Sequence, residues 1–228
     1  MKALEKHLLH YETHKLFYNK YLYKLVIRNS LAIIFREKKF SYAREVLDDL
    51  QHQFENGEVL VRNTGYRKTP VDILEFLECQ TFYKELNKNI DYKIRVENPH
   101  IQLYTNDKEW LLELTTKVVR PTEIWQPSDA HISYLGENTI IVSRPTKYQY
   151  KVTLGDKRVD QGFTTWLEKN HDKVKIGRMC KDAISEGLYA ANYYFYVRDE
   201  RILELIKLMI TPSIRRIDKL VCKQDIDK

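Results

Sequence analysis

Glycine and proline are scarce in this chain, with seven and six respectively among 228 residues. Low counts of both argue against a disordered chain and against a loop-rich β-sandwich. The glycines are also scattered, so no cluster precedes a helix to cradle a phosphate, and no GxSxG nucleophile elbow is present. Cysteine is nearly as rare. Cys79, Cys180 and Cys222 are far apart, odd in number and without a CxxC spacing, which favours reduced thiols over a disulfide framework. Cys180 has Arg178 and Lys181 nearby but no base beside it in sequence, so a structural role is preferred to a reactive one. Long apolar runs are missing too. The longest, Leu31 to Phe35, falls far short of the ~20 residues a membrane-spanning helix needs. The opening stretch MKALEKHLLHYETHK is too charged for a secretory signal. These absences point to a cytoplasmic protein, the cytoplasm of a host cell included, with no membrane partner.

What is present is ordinary in amount and uneven in kind. A 43% hydrophobic and 31% charged chain of this length is able to bury a real core in one large or two small domains. Its 16 tyrosines stand out, since each ring combines an apolar body with a polar tip suited to half-exposed sheets and contact surfaces. A net charge of +6 and a pI near 9.0 make polyanions the natural partner class. Usage rich in Lys, Ile, Asn and Tyr is compatible with an AT-rich genome, such as that of a virus or bacteriophage.

The clearest pattern lies between Asp91 and Val119. Tyr92, Ile94 and Val96 alternate with Lys93 and Arg95, the period of a half-buried strand. Asn98-Pro99-His100 breaks it, and Ile101, Leu103 and Thr105 resume it. Asn106 or Asp107 then offers a helix cap before Trp110, Leu111, Leu114 and Val118, which fall on one helical face. A looser copy of the second half runs from Tyr194-Phe195-Tyr196-Val197 through a helix bearing Ile202, Ile206, Met209 and Ile210 to a strand at Ile214 to Val221. An earlier relative is read at Tyr21 to Leu50, with Leu31 to Phe35 as its second strand. The fold class is therefore α+β, built of strand–turn–strand–helix units in antiparallel or mixed sheets with helices packed on one face. The remaining pattern gives helices over residues 2 to 18, 41 to 54 and about 70 to 89, a connection over 56 to 69, and a polar loop over 126 to 138. Strands follow at 139 to 142 and 147 to 153. A helix starts at Phe163, and a lysine-rich stretch from Lys169 to Lys181 leads into a short helix ending at Gly187. The boundary is placed after Thr69, giving an N-terminal unit of residues 1–69 and a C-terminal domain of residues 70–228.

Catalytic patterns are weak. His7, His10 and His14 would share a face of a helix, yet no HExxH order or fixed carboxylate completes a four-ligand metal site, so a solvated face is preferred. Glu97, Asp107, Asp156 and Asp160 are the carboxylates available to a metal-dependent nuclease. Asp107 and Asp199, however, stand at strand-to-helix junctions where capping an orphan N–H is the stronger reading.

The basic residues opposite the apolar strand positions carry more: Lys20, Lys24 and Arg28; Lys93 and Arg95; Lys147 and Lys151. Arg144 and Arg158 adjoin them, as do Arg62, Arg67, Lys68, Lys157, Arg215 and Arg216. With helices covering the apolar side, such strands would present cations outward, where phosphates supply affinity and tyrosines or Trp125 stack on unpaired bases. Lysines that protect strand edges are the competing explanation. The sequence thus predicts a non-catalytic nucleic-acid-binding protein, for DNA or RNA, with no cofactor and no metal. The alternatives are a subunit of a homo-oligomer or larger assembly, and a metal-dependent nuclease.

Overall fold

Alternation of apolar and charged residues produces two mixed sheets, each with helices on its apolar side, in an α+β protein. The computed structural model describes residues 8–37, 40–118 and 120–226. The chain divides into two compact units: residues 1–13 with 20–127, and residues 14–19 with 128–228.

Unit 1 contains, in order, β1 (Leu9–Glu12), β2 (Tyr23–Arg28), α1 (Ser41–Glu55), β3 (Val61–Asn63), β4 (Lys68–Pro70), α2 (Ile73–Leu86), β5 (Tyr92–Glu97), β6 (His100–Thr105), α3 (Lys108–Lys117) and β7 (Pro121–Gln126). Its main sheet has the order β1-β7-β2-β6-β5, and β3 and β4 form a separate hairpin. Leu25, Ile27, Ile101, Leu103 and Ile124 point to one side, where Leu47 and Leu50 of α1, Phe76 and Phe82 of α2 and Trp110 and Leu114 of α3 close the core.

Unit 2 contains β8 (Thr139–Val142), β9 (Tyr150–Leu154), α4 (Gly162–Lys169), β10 (Val174–Ile176), α5 (Arg178–Ser185), β11 (Tyr194–Val197), α6 (Glu200–Ile210), β12 (Ile214–Cys222) and α7 (Lys223–Ile226). The sheet order is β10-β11-β9-β12-β8. Val152, Leu154, Phe195 and Val197 meet Phe163 and Leu167 of α4, Ile184 of α5 and Ile206 and Ile210 of α6.

The two sheets follow one plan. In each, the first strand lies at an edge parallel to the fifth, the fifth runs antiparallel to the second, the second to the fourth, and the fourth to the third. The last four strands of each unit with their helices form a split β-α-β arrangement. The connecting segments differ: α5 separates the third and fourth strands of unit 2, where unit 1 has a tight turn.

Several expectations are corrected. Residues 9–12 are a strand, not part of a helix, because the edge of β7 supplies their pairing partners. Residues 13–18 of that expected helix are bends, an isolated bridge and a turn, and residues 2–7 lie outside the described residues. Ala32–Arg36 is a 3-10 helix rather than a strand. Asn29 nucleates it: its side-chain oxygen accepts from Leu31 N (2.8 Å) and its carbonyl from Ala32 N (3.1 Å). A short, wholly apolar run that is largely buried fits either structure. The expected connection over 56–69 contains the hairpin β3–β4, and the polar stretch before β8 contains a 3-10 helix, Asp129–Tyr134, with His131 buried. Finally, the division falls after Pro127 rather than Thr69, because β2 lies between β6 and β7 and so joins the sheet formed beyond residue 70.

Two buried carboxylates fasten α2 within unit 1. Glu78 accepts from Asn29 Nδ2 (2.7 Å) and from Arg120 N (2.8 Å). Glu85 accepts from Trp110 Nε1 (3.1 Å) and pairs with Lys117 (2.7 Å) and Lys88 (2.6 Å). Burial pushes the Glu85 carboxyl up, but the hydrogen bonds from Lys117, Lys88 and Trp110 together outweigh it and hold the group at about 2. A carboxyl depressed on folding contributes its stability fully above its ordinary value, 4.5, and loses it as pH falls through the folded value. Glu85→Gln is therefore expected to cost about 1–3 kcal/mol at pH 7. In urea unfolding the gap between variant and wild type should narrow from pH 4.5 downward, and a gap that does not depend on pH would contradict the assignment.

Candidate nucleic-acid interface

Cross-strand partners share a sheet face, so strand register decides which of the predicted cations stand together. In unit 1, one row across the face opposite the core reads Tyr11, Trp125, Lys24, Tyr104 and Lys93; the next reads Leu9, Glu123, Val26, Gln102 and Arg95; Arg28, His100 and Glu97 follow. The sidedness expected for Lys24, Arg28, Lys93 and Arg95 holds, but the face is not a bare cationic plate. Val26 and Tyr104 are buried, and the Lys24 side chain is only 15% exposed. Burial draws the Lys24 ammonium below the usual lysine range even though Glu123 lies 4.0 Å away. Its Nζ sits 4.8 Å from the centroid of the Trp125 ring, which itself stacks on Tyr11 at 4.4 Å. Arg95 pairs with Glu97. Lys20 lies before β2 rather than in it and bonds Asp91 at 2.7 Å, which raises its pKa.

Unit 2 differs in the balance of charge. One row reads Lys175, Tyr196, Lys151 and Asp218, and the next Tyr194, Thr153 and Arg216. Asp218 is the sole acid in these two rows. It is 2% exposed and accepts from Arg216 Nε at 3.0 Å, so it is withdrawn from the surface. Lys151 stands beside Asp218 in the register and places its Nζ 4.0 Å from the Tyr194 ring centroid; burial lowers its pKa despite that acid.

Lys147 is not in β9. The Thr146 hydroxyl accepts from Tyr148 N (3.1 Å), a turn that follows Pro145 and sets residues 143–149 as a loop before the strand begins at Tyr150. That loop carries Arg144, Lys147 and Tyr148 to the end of the sheet where Lys175 and Tyr196 lie, and the five residues line an open cleft of about 700 Å³. Tyr148 and Tyr196 have ring centroids 6.2 Å apart, and Lys147 Nζ is 5.4 Å from the Tyr148 centroid. Arg158 lies past the other end of β9, with its guanidinium 4.8 Å from the Tyr189 ring. The register thus joins Lys151 to Lys175 and Tyr196, the loop adds Arg144 and Lys147, and Arg158 stands apart from them.

Lys175 was not among the expected residues, because a three-residue strand leaves too short an alternation to detect. Tyr194 and Tyr196 were not among them either; they take the outward positions of β11, with Phe195 and Val197 buried between and after them.

Most of the candidate carboxylates are engaged in local hydrogen bonds or ion pairs. Asp107 and Asp199 cap helices, accepting from Trp110 N (2.9 Å) and Ile202 N (3.1 Å). Asp160 accepts from Gly162 N (2.7 Å) at the start of α4, and Asp156 stands in the turn that ends β9. Glu97 is held by Arg95 and by Gln102 Nε2 (2.8 Å). His10 lies on β1 opposite Ile124, whereas His14 belongs to unit 2, its ring centroid 6.2 Å from that of His131; the expected shared helical face does not form. His7 lies outside the described residues. Cys79 and Cys180 are buried, and burial pushes the Cys180 thiol up to about 11, far from a thiolate at neutral pH. Among the described residues no helix is long and apolar enough to cross a membrane. No protein-family model, curated protein or solved structure matches the chain.

Proposed function

We propose that this chain is a non-catalytic nucleic-acid-binding protein whose principal contact surface is the outer face of the unit 2 sheet with its adjoining loop. The observation that carries the reading is the row Lys175–Tyr196–Lys151, with Arg144, Lys147 and Tyr148 beside it and its one acid buried. Cations spaced along such a surface meet successive phosphates, while the rings between them offer faces for stacking. Lys20, Lys24, Arg28, Lys93 and Arg95 contribute less in this reading, because acids already meet Lys20, Lys24 and Arg95. Arg158 is a peripheral contact. Binding by three or four cations predicts that log K falls against log salt concentration with a slope of about −2 to −3 for a single strand. Fluorescence anisotropy of a labelled oligonucleotide across a salt series measures it, and a slope near zero would contradict the reading.

Leu205, Leu208 and Met209, which α6 leaves exposed, favour a second reading as an assembly subunit. Light scattering that finds a stable oligomer indifferent to salt and nucleic acid would support that alternative.

A further inference from the structure

Tyr196 and Lys175 form a shared wall. On one side is the cleft of about 700 Å³ that Arg144, Lys147 and Tyr148 complete; on the other is a second open cleft of about 560 Å³, completed by Arg178, Met179 and Tyr194. Each is of a size that takes a small planar ligand. Each has aromatic carbon in its walls and a cation at its rim. The Tyr196 ring stands 6.2 Å from Tyr148 at an interplanar angle of 33°, and 5.6 Å from Tyr194 at 75°. The rings on its two sides therefore face different ways, as two separate platforms rather than one continuous stack. Arg178 is almost fully exposed on α5, in a solvent-screened pair with Asp182 at 3.5 Å, and Tyr194 is 45% exposed with Lys151 over one face of its ring, so a ligand reaches the other.

Resting on the reading above, we infer that the ligand is a single strand, and that two neighbouring bases leave their stack to occupy the clefts on either side of Tyr196. A duplex offers this surface only its phosphates, because its base faces are covered by one another. A single strand offers base faces as well, and those are what the two clefts are lined to receive. Arg144, Lys147, Lys175 and Arg178 then meet the phosphates that flank the two bases.

The test uses the intact chain with labelled oligothymidylate, oligouridylate and a hairpin duplex, at one salt concentration. Either single strand is expected to bind at least about tenfold tighter than the duplex. Tyr148→Ala is expected to weaken single-strand binding about tenfold, the loss of one stacking contact, and Tyr196→Leu, which borders both clefts, at least as much. The salt slope and the duplex affinity should not change in these variants, because no phosphate contact is removed. Tyr148 lies in a loop, so its variant reports on binding even where Tyr196→Leu lowers the melting temperature. Duplex binding as tight as single-strand binding, or unchanged single-strand affinity in Tyr148→Ala, would overturn this inference and leave the wider function standing. Absence of binding to all three oligonucleotides would end both.

Discussion

Lys147→Glu combined with Lys175→Glu is expected to lower oligonucleotide affinity on the order of a hundredfold while leaving the melting temperature within a degree or two of wild type. Both side chains are exposed and line the same cleft, and neither helps to fill the core. Losing two phosphate contacts should also reduce the salt slope by about 1.4 for a single strand, and the two new carboxylates repel the ligand in addition. Lys151 is a poorer site for such a reversal. A glutamate there would stand beside buried Asp218, so lost stability would be mistaken for lost binding. The same exchange at Lys93 and Arg95 should change affinity about twofold at most, because the unit 1 face already carries acids at Glu97 and Glu123. Equal losses from the two pairs, measured by anisotropy, would remove the distinction between the faces.

Phe195→Ala is expected to have the opposite profile, costing about 3–5 kcal/mol of stability through the cavity it leaves. Phe195 is fully buried on the fourth strand of unit 2, with the Phe163 ring 5.8 Å away and Val152 directly across the ladder. Its neighbours Tyr194 and Tyr196 point the other way. Three consecutive residues thus separate into one that packs the core and two that face the proposed binding surface. Urea unfolding of Phe195→Ala measures the loss, and a cost under about 1 kcal/mol would place Phe195 outside a tightly packed core.

Strand facing was legible in the sequence where apolar and charged residues alternate over several positions. The outward positions of β2 and β5 follow directly from a period of two, and the caps at Asp107 and Asp199 from short acceptors before an apolar helix; β11, aromatic or apolar throughout, shows no such contrast. What failed did so for identifiable reasons. β1 carries a charged, mixed pattern that suits a helix equally well, and its partner β7 lies more than a hundred residues away. β10 is three residues long, so Lys175 had no alternation to betray its face. Lys147 continued the pattern of β9 but stands in a loop, because a turn at Thr146 ends the extended chain first. Most important, register was hidden. The sequence shows that Lys24 and Lys151 both point away from a core, but only pairing reveals that Lys24 stands over Trp125 near Glu123, and Lys151 between Tyr196 and a buried Asp218. Which basic face remains available is a property of cross-strand neighbours, and those are remote in sequence.

Photo-crosslinking of the wild-type chain to a 4-thiothymidine oligonucleotide, with the modified residues located by mass spectrometry, tests the account most directly. Crosslinks at Tyr148, Tyr194 and Tyr196, lost on raising the salt, are the predicted result. Crosslinks confined to the strands of unit 1 around Lys24 and Arg95, or spread without preference over both units, would contradict it.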